Sequence, residues 1–470
     1  MRTSSLLERT AKADATIAPL TIAATPYDWR DPADIPLRPW VYGRWLLRGT
    51  VTAVVAPGGI GKSTYLSATA LALVTARDLL GKTTWGDRKR VWIWNLEDDL
   101  DELARSIQAA AKHFGLCASD IGENLFVDSA MEGTGLCTAI IGESGFEIKA
   151  PVFAAITAEL IRREIDVLII DPFVSSHEIE ENDNSKIDKI AKAWGRVAKA
   201  ANCAIVLVHH TSKAGAAEVT ALSARGAVAL VNACRSALVL NRMTLDEAQK
   251  LGIDGAERRR YFNVQDDKHN RAPAEVADWY RLASVNLCNG GHTLGDNIGV
   301  AEPWIVPDPF EDVSVDHLIR VQRKVAEGSY KAHHTAVDWA GLAVAEVFGL
   351  DVAIKPDKAR IMAMLKEWQA NGMFKLEERL DKNRQWKKFL AVDRWANDAS
   401  ATPVKGVASR DIAVEQPSAT LHPPPVRGGG VAAAAGSSDQ VSQPGGIDDP
   451  NDGGFEGFDH PPVGGLRKAV

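Results

Sequence analysis

Between Val51 and Thr64 the chain reads VTAVVAPGGIGKST. A β-branched apolar run stops at Pro57, and Gly58, Gly59, Ile60 and Gly61 follow. Lys62, Ser63 and Thr64 then open an Ala- and Leu-rich stretch with helix-forming composition. Strand, glycine loop and helix in this order form a phosphate cradle, because successive backbone N–H groups can turn inward around an anion. The helix starting near Lys62 adds the positive end of its dipole. The Lys62 ammonium is placed to reach β- and γ-phosphates, and the Ser63 hydroxyl to hold Mg²⁺. The pattern G-x-x-x-x-G-K-[ST] has Ala56 at its first position, a residue small enough for that turn.

A cradle of this kind needs a carboxylate on a neighbouring strand. Residues 166–172, DVLIIDP, supply one: a fully apolar strand suited to the middle of a parallel sheet, ending in Asp171. Asp171 is the expected Mg²⁺ ligand alongside Ser63. Residues 90–97, RVWIWNLE, predict another buried strand, followed by Asp98, Asp99 and a helix over 100–114. Asp99 is expected to cap that helix and Glu97 to carry chemistry. Pro151 predicts a helix start, and residues 132–145 a surface loop or hairpin. Residues 204–213 form a further apolar strand tipped by His209 and His210. Adjacent strand residues point to opposite faces, so one histidine is expected at the γ-phosphate and the other in a structural role. Arg225 and Arg235, at the two ends of an apolar helix, are candidate arginine fingers. Residues 258–264 and 279–286 predict two antiparallel strands. These observations alone describe an α/β P-loop nucleotide-binding domain of about 250 residues.

The rest of the composition narrows the setting. At 470 residues the chain has room for two or three domains. The net charge of −7 gives no global basic footprint, so any nucleic acid is expected in a local channel. The five cysteines lack CxxC spacing, which argues against a zinc site or disulfide framework, and Cys203 and Cys234 fall in apolar runs expected in the core. No apolar run is long enough to span a bilayer, so no membrane partner is expected. Residues 1–35 show no signal-peptide core and are taken as a flexible leader of a cytoplasmic chain. Trp29, Trp40, Tyr42 and Trp45 cluster before the first strand and are expected to pack on the sheet edge.

The stretches APGGIGKST, WNLEDD, LIIDPF, VLVHHTSK, SARGAVALVNACR and DDKHNRAPAEVADWYR occur in one order across residues 40–287. Together they resemble the RecA-like ATPases of the plasmid RepA type, which are ring-forming replicative DNA helicases. The resemblance implies a RecA-like P-loop core with a parallel central sheet over residues 36–300. It implies ATP and Mg²⁺ as cofactors, with ATP bound between the subunits of a homo-oligomer, usually a hexamer. Residues 57–64 (Pro57, Gly58, Gly59, Ile60, Gly61, Lys62, Ser63 and Thr64) would hold the nucleotide, and Ser63 and Asp171 the metal. Glu97 resembles the general base, and His210 the sensor of the γ-phosphate. Arg235 falls at the arginine-finger position, with Arg225 and Lys268 as secondary contacts across the interface. Residues 213–224 lie where such rings hold loops that touch single-stranded DNA.

Residues 311–398 form a separate unit. Helical periodicity in 317–326, 336–348 and 357–371 precedes two strands, 373–377 and 387–392, joined by a basic segment. Three helices and a basic hairpin are expected to make a winged-helix-like α+β domain, a second expected contact for duplex DNA. From residue 399 the chain is rich in Pro, Gly, Ala and Ser and is expected to remain disordered. Its acidic stretch near 448–459, with Phe455 and Phe458, resembles a peptide for a replication-protein partner. The function expected is therefore a DNA-dependent ATPase acting as a hexameric replicative helicase of a plasmid, phage or integrated element. A helicase loader or remodelling factor, and a nucleotide-regulated DNA-binding regulator, are the alternatives.

Overall fold

A computed structural model describes residues 23–133, 135–211, 227–269, 277–291 and 294–397. Arg225, the 213–224 loop, most of the leader and the 399–470 tail lie outside the described residues, and the expectations made for them stay there.

The strands run β1 Trp40–Tyr42, β2 Leu46–Leu47, β3 Val51–Pro57, β4 Val91–Asn95, β5 Leu125–Ser129, β6 Ala139–Gly142 and β7 Gly145–Ile148. There follow β8 Val167–Asp171, β9 Ala204–Thr211, β10 Ser236–Arg242, β11 Tyr261–His269, β12 Asp278–Asn286 and β13 Asn297–Pro303. Nine of these build one sheet in the order β13-β12-β11-β10-β3-β9-β8-β4-β5. From β10 to β5 every neighbouring pair is parallel, while β10, β11, β12 and β13 pair antiparallel. One strand, β9, separates the glycine-loop strand β3 from the acidic strand β8. This is the expected α/β core with a parallel central sheet, extended on one side by an antiparallel meander.

The apolar strands serve two cores at once. Along β3, Val54 and Ala56 enter one cluster with the helices Lys62–Thr75 and Leu100–His113. Val51, Ala53 and Val55 enter another with the helices Ala150–Arg162, Asn184–Ala200 and Ala227–Ala233. The period-two alternation of a strand thus delivers apolar side chains to both faces of the sheet. Thr52 is the polar exception, and its hydroxyl donates to the Trp45 carbonyl at 3.0 Å. Tyr65, on the glycine-loop helix, sits 5.2 Å from Tyr280 and 6.4 Å from Phe262, ring to ring. The meander therefore covers the helix that carries Lys62 and fixes its start relative to the sheet.

Several local expectations find their elements. Asp99 accepts from the Glu102 N–H at 2.8 Å and caps its helix. Pro151 lies in the first turn of Ala150–Arg162. The excursion after residue 132 contains the hairpin β6–β7. Cys203 and Cys234 are buried. Tyr42 and Trp45 pack edge to face in the core, as expected of the cluster, whereas Trp29 is exposed. The strand expected at 258–264 begins later, at Tyr261, because residues 257–260 close a 3-10 turn. No sequence expectation anticipated β13 as a strand.

A separate core gathers Val313, Leu318, Val321, Trp339, Val344, Ile361, Met364, Trp368 and Phe374. It is built by helices Val315–Glu327, Gly341–Phe348 and Lys355–Ala370 with strands β14 Phe374–Leu380 and β15 Trp386–Val392. The second helix is shorter than its periodicity predicts. Among the described residues, no helix is long and apolar enough to cross a membrane.

Candidate nucleotide site

The backbone from Gly58 to Gly61 turns the chain from β3 into the helix Lys62–Thr75. Gly59 (φ +70°) and Gly61 (φ +110°) take left-handed conformations that a side chain would strain. A Cβ on Gly61 would also meet Leu282 of β12 at 3.1 Å. The loop is thereby shaped from below by the meander and needs glycine at its last position.

Lys62 is the first residue of the helix and is buried, with its ammonium donating to the carbonyls of Ala56 (2.9 Å) and Pro57 (3.2 Å). Burial lowers its pKa to about 8, against the pull of Asp171 and Glu97, which favour the charged form. Ser63 Oγ donates to Asp171 Oδ2 at 3.1 Å. These residues are 108 positions apart in sequence, and the order β3-β9-β8 brings them together. Two hard oxygen donors suit Mg²⁺, which takes one or two protein ligands and fills its octahedron with water and phosphate oxygens. Among the described residues, no group of three or more His, Cys, Asp or Glu is placed to hold a metal.

Glu97 stands exposed just past the end of β4. The buried Asn95 side chain fixes this turn, accepting from the N–H groups of Glu97 (2.8 Å) and Asp98 (2.7 Å). Ser175 Oγ donates to Glu97 Oε1 at 3.5 Å. Asp98 has its pKa raised by burial and, more weakly, by nearby carboxylates that include Asp171. At the tip of β9, His210 Nε2 lies 3.7 Å from Asp171 Oδ1 and remains partly exposed, while His209 is buried with Nδ1 3.8 Å from Glu181. The two histidines thus face different surroundings, as their adjacency on a strand requires.

The remaining sequence candidates lie elsewhere. The Arg235 N–H donates to the Val51 carbonyl at 3.0 Å, which places it at the amino end of β3. The glycine loop leaves the other end of that strand, about 20 Å away at 3.3 Å per residue. Arg235 is exposed there and cannot reach the phosphate loop of its own chain. Lys268 lies at the same end, and its ammonium donates to the carbonyls of Val231 (2.8 Å), Asn232 (2.9 Å) and Cys234 (3.1 Å). It closes the end of the helix Ala227–Ala233 and touches no residue of the glycine loop.

One neighbour of the loop went unread in the sequence. Arg242, at the carboxyl end of β10, donates through its guanidinium to the Gly59 carbonyl. Burial lowers its pKa, and Arg258 and Arg259 lower it further. The rule that selects Asp171, a polar residue closing an apolar strand, also selects Arg242 once β10 is known to lie beside β3.

A protein-family model described as an AAA domain matches residues 18–216. That stretch contains Lys62, Ser63, Glu97, Asp171 and His210 and stops before Arg225, Arg235 and Lys268. The crystal structure of the RadB recombinase is similar to this chain at 14% identity, covering 51% of this chain and 89% of that chain, with a TM-score of 0.33.

Proposed function

We propose that the chain is an ATP-hydrolysing motor acting on DNA, a hexameric replicative helicase of a plasmid, phage or integrated element. The observation that carries the nucleotide part is the Ser63–Asp171 contact at the start of the Lys62 helix, beside the left-handed Gly61. That arrangement fits a Mg²⁺–triphosphate. The metal would supply charge neutralisation between the β- and γ-oxygens.

The chain's own groups would do the rest. Lys62 exchanges its two carbonyl partners for phosphate oxygens. Glu97, steadied by Ser175 and the Asn95 turn, holds the attacking water and takes its proton. His210, with Nε2 3.7 Å from Asp171 Oδ1, donates to the γ-phosphate. Arg235 of one copy neutralises the transferring group of the next, because its place at the amino end of the sheet denies it the site of its own chain. Such a finger contributes about 10³–10⁵ in rate. Single-stranded DNA in the channel of the ring is the proposed partner, and the chain is proposed to act in the cytoplasm.

The test combines turnover with unwinding. Purified protein should displace a strand from a forked duplex in the presence of ATP and Mg²⁺. ATP turnover stimulated by single-stranded DNA without displacement would identify a loader or remodeller instead. Arg235→Ala should abolish hydrolysis while ATP still binds, and surviving turnover would remove the finger assignment.

A further inference from the structure

In three-helix variants of the helix-turn-helix the third helix lies in the major groove of duplex DNA. Here the start of that helix is solvent-exposed but also touches the nucleotide-binding core. The backbone of Lys355 and Pro356 presses on Gly252 so closely that a Cβ there would lie 2.5 Å from Pro356 Cα. The Lys355 ammonium also pairs with Asp254 at 2.8 Å.

The outer edge of β15 is bonded to residues 330–332, where the Ala332 N–H donates to the Lys388 carbonyl at 2.9 Å, but the tip of the hairpin β14–β15, residues 382–388, is exposed. That tip is held rigid by Asp381, whose carboxylate accepts from the N–H groups of Asn383 (2.9 Å) and Gln385 (3.0 Å). Just past this turn, Trp386 is 68% exposed, directly opposite Leu380, which is 54% exposed. Lys388 lies two residues on, on the same face. From Phe374 to Val392 the hairpin carries six cationic side chains and three carboxylates. Glu377 takes up Lys375 and Arg379, and Asp381 faces Lys331 with Lys387 nearby. Lys382, Arg384 and Lys388 have no ion pair within 4 Å among the described residues, and Lys388 lies opposite Glu378 across the hairpin.

We propose that this hairpin binds single-stranded nucleic acid, with Trp386 stacking on a base and Lys382, Arg384 and Lys388 holding flanking phosphates. An exposed indole set among cations is the combination that grips single strands without reading sequence. A duplex keeps its base faces stacked away from such a ring. The rigid turn lowers the cost of ordering the contact. The proposal deepens the reading above by naming a second contact for its partner, and it rests on that reading for the choice of nucleic acid.

Binding of a labelled oligothymidylate and of a blunt duplex of equal length to the full chain, by fluorescence anisotropy without nucleotide, tests it. Trp386→Ala should weaken single-strand binding about tenfold and Trp386→Phe should restore most of it. Replacing Lys382, Arg384 and Lys388 with Ala should flatten the salt dependence by about two units of slope. The melting temperature should hold in every variant, since these side chains are exposed. Wild-type protein that prefers the duplex, or that binds no oligothymidylate, overturns the proposal. So does a Trp386→Ala variant that binds as wild type, the result expected of a wing that docks protein. ATP turnover measured in parallel separates the two readings: Trp386-dependent binding without turnover would sink the motor and keep the hairpin.

Discussion

Lys62 is held as a buried cation whose pKa lies near 8, and this gives nucleotide binding a pH signature. Below that value the ammonium is already charged and affinity should be flat. Above it the protein must take up a proton to meet the phosphates, so affinity should fall by up to about tenfold per pH unit. Calorimetry in buffers of different ionisation enthalpy should record uptake of about one proton per nucleotide at pH 9 and little at pH 7. Asp171→Asn removes the charge that faces Ser63 and His210. Mg²⁺-dependent turnover should drop by about a hundredfold or more, while thermal melting shifts little. The sequence showed Lys62, Ser63 and Asp171 because each closes an unmistakable local pattern. It did not show Asn95, Glu181 or Arg242, whose parts depend on which strand ends lie side by side. Strand order leaves no mark within a short window of sequence.

The strands most legible in the sequence, β3, β8 and β9, are those buried on both faces, where the apolar run is unbroken. β13 was not legible: NIGVAEP is interrupted by Gly299 and closed by Pro303, and only its pairing with β12 makes it a strand. The helices behind the sheet are anchored by large side chains. Trp194 is fully buried and meets Phe153 edge to face at 5.2 Å. Trp194→Ala should cost about 3–5 kcal/mol by chemical denaturation. At the glycine loop, Gly61→Ala confronts both the +110° φ and Leu282. The loop should move, and nucleotide affinity should fall well before overall stability does, a difference that calorimetry and a melting curve report separately.

Across the whole molecule, the contact of Gly252 with the backbone of Lys355 and Pro356 ties the helical unit to the nucleotide-binding core. Gly252→Ala would force these backbones apart. Limited proteolysis should then cut between residues 303 and 313 faster than in wild type, with nucleotide binding retained. The polarity of the parallel strands has a further consequence. Phosphate-holding groups crown the carboxyl ends, and Arg235 sits at the amino ends. If Arg235 serves a neighbour as proposed above, each copy must bring the amino end of its sheet against the carboxyl end of another. Repeated nose to tail, that contact would leave the last member of an open row without help and would leave none so in a closed circle.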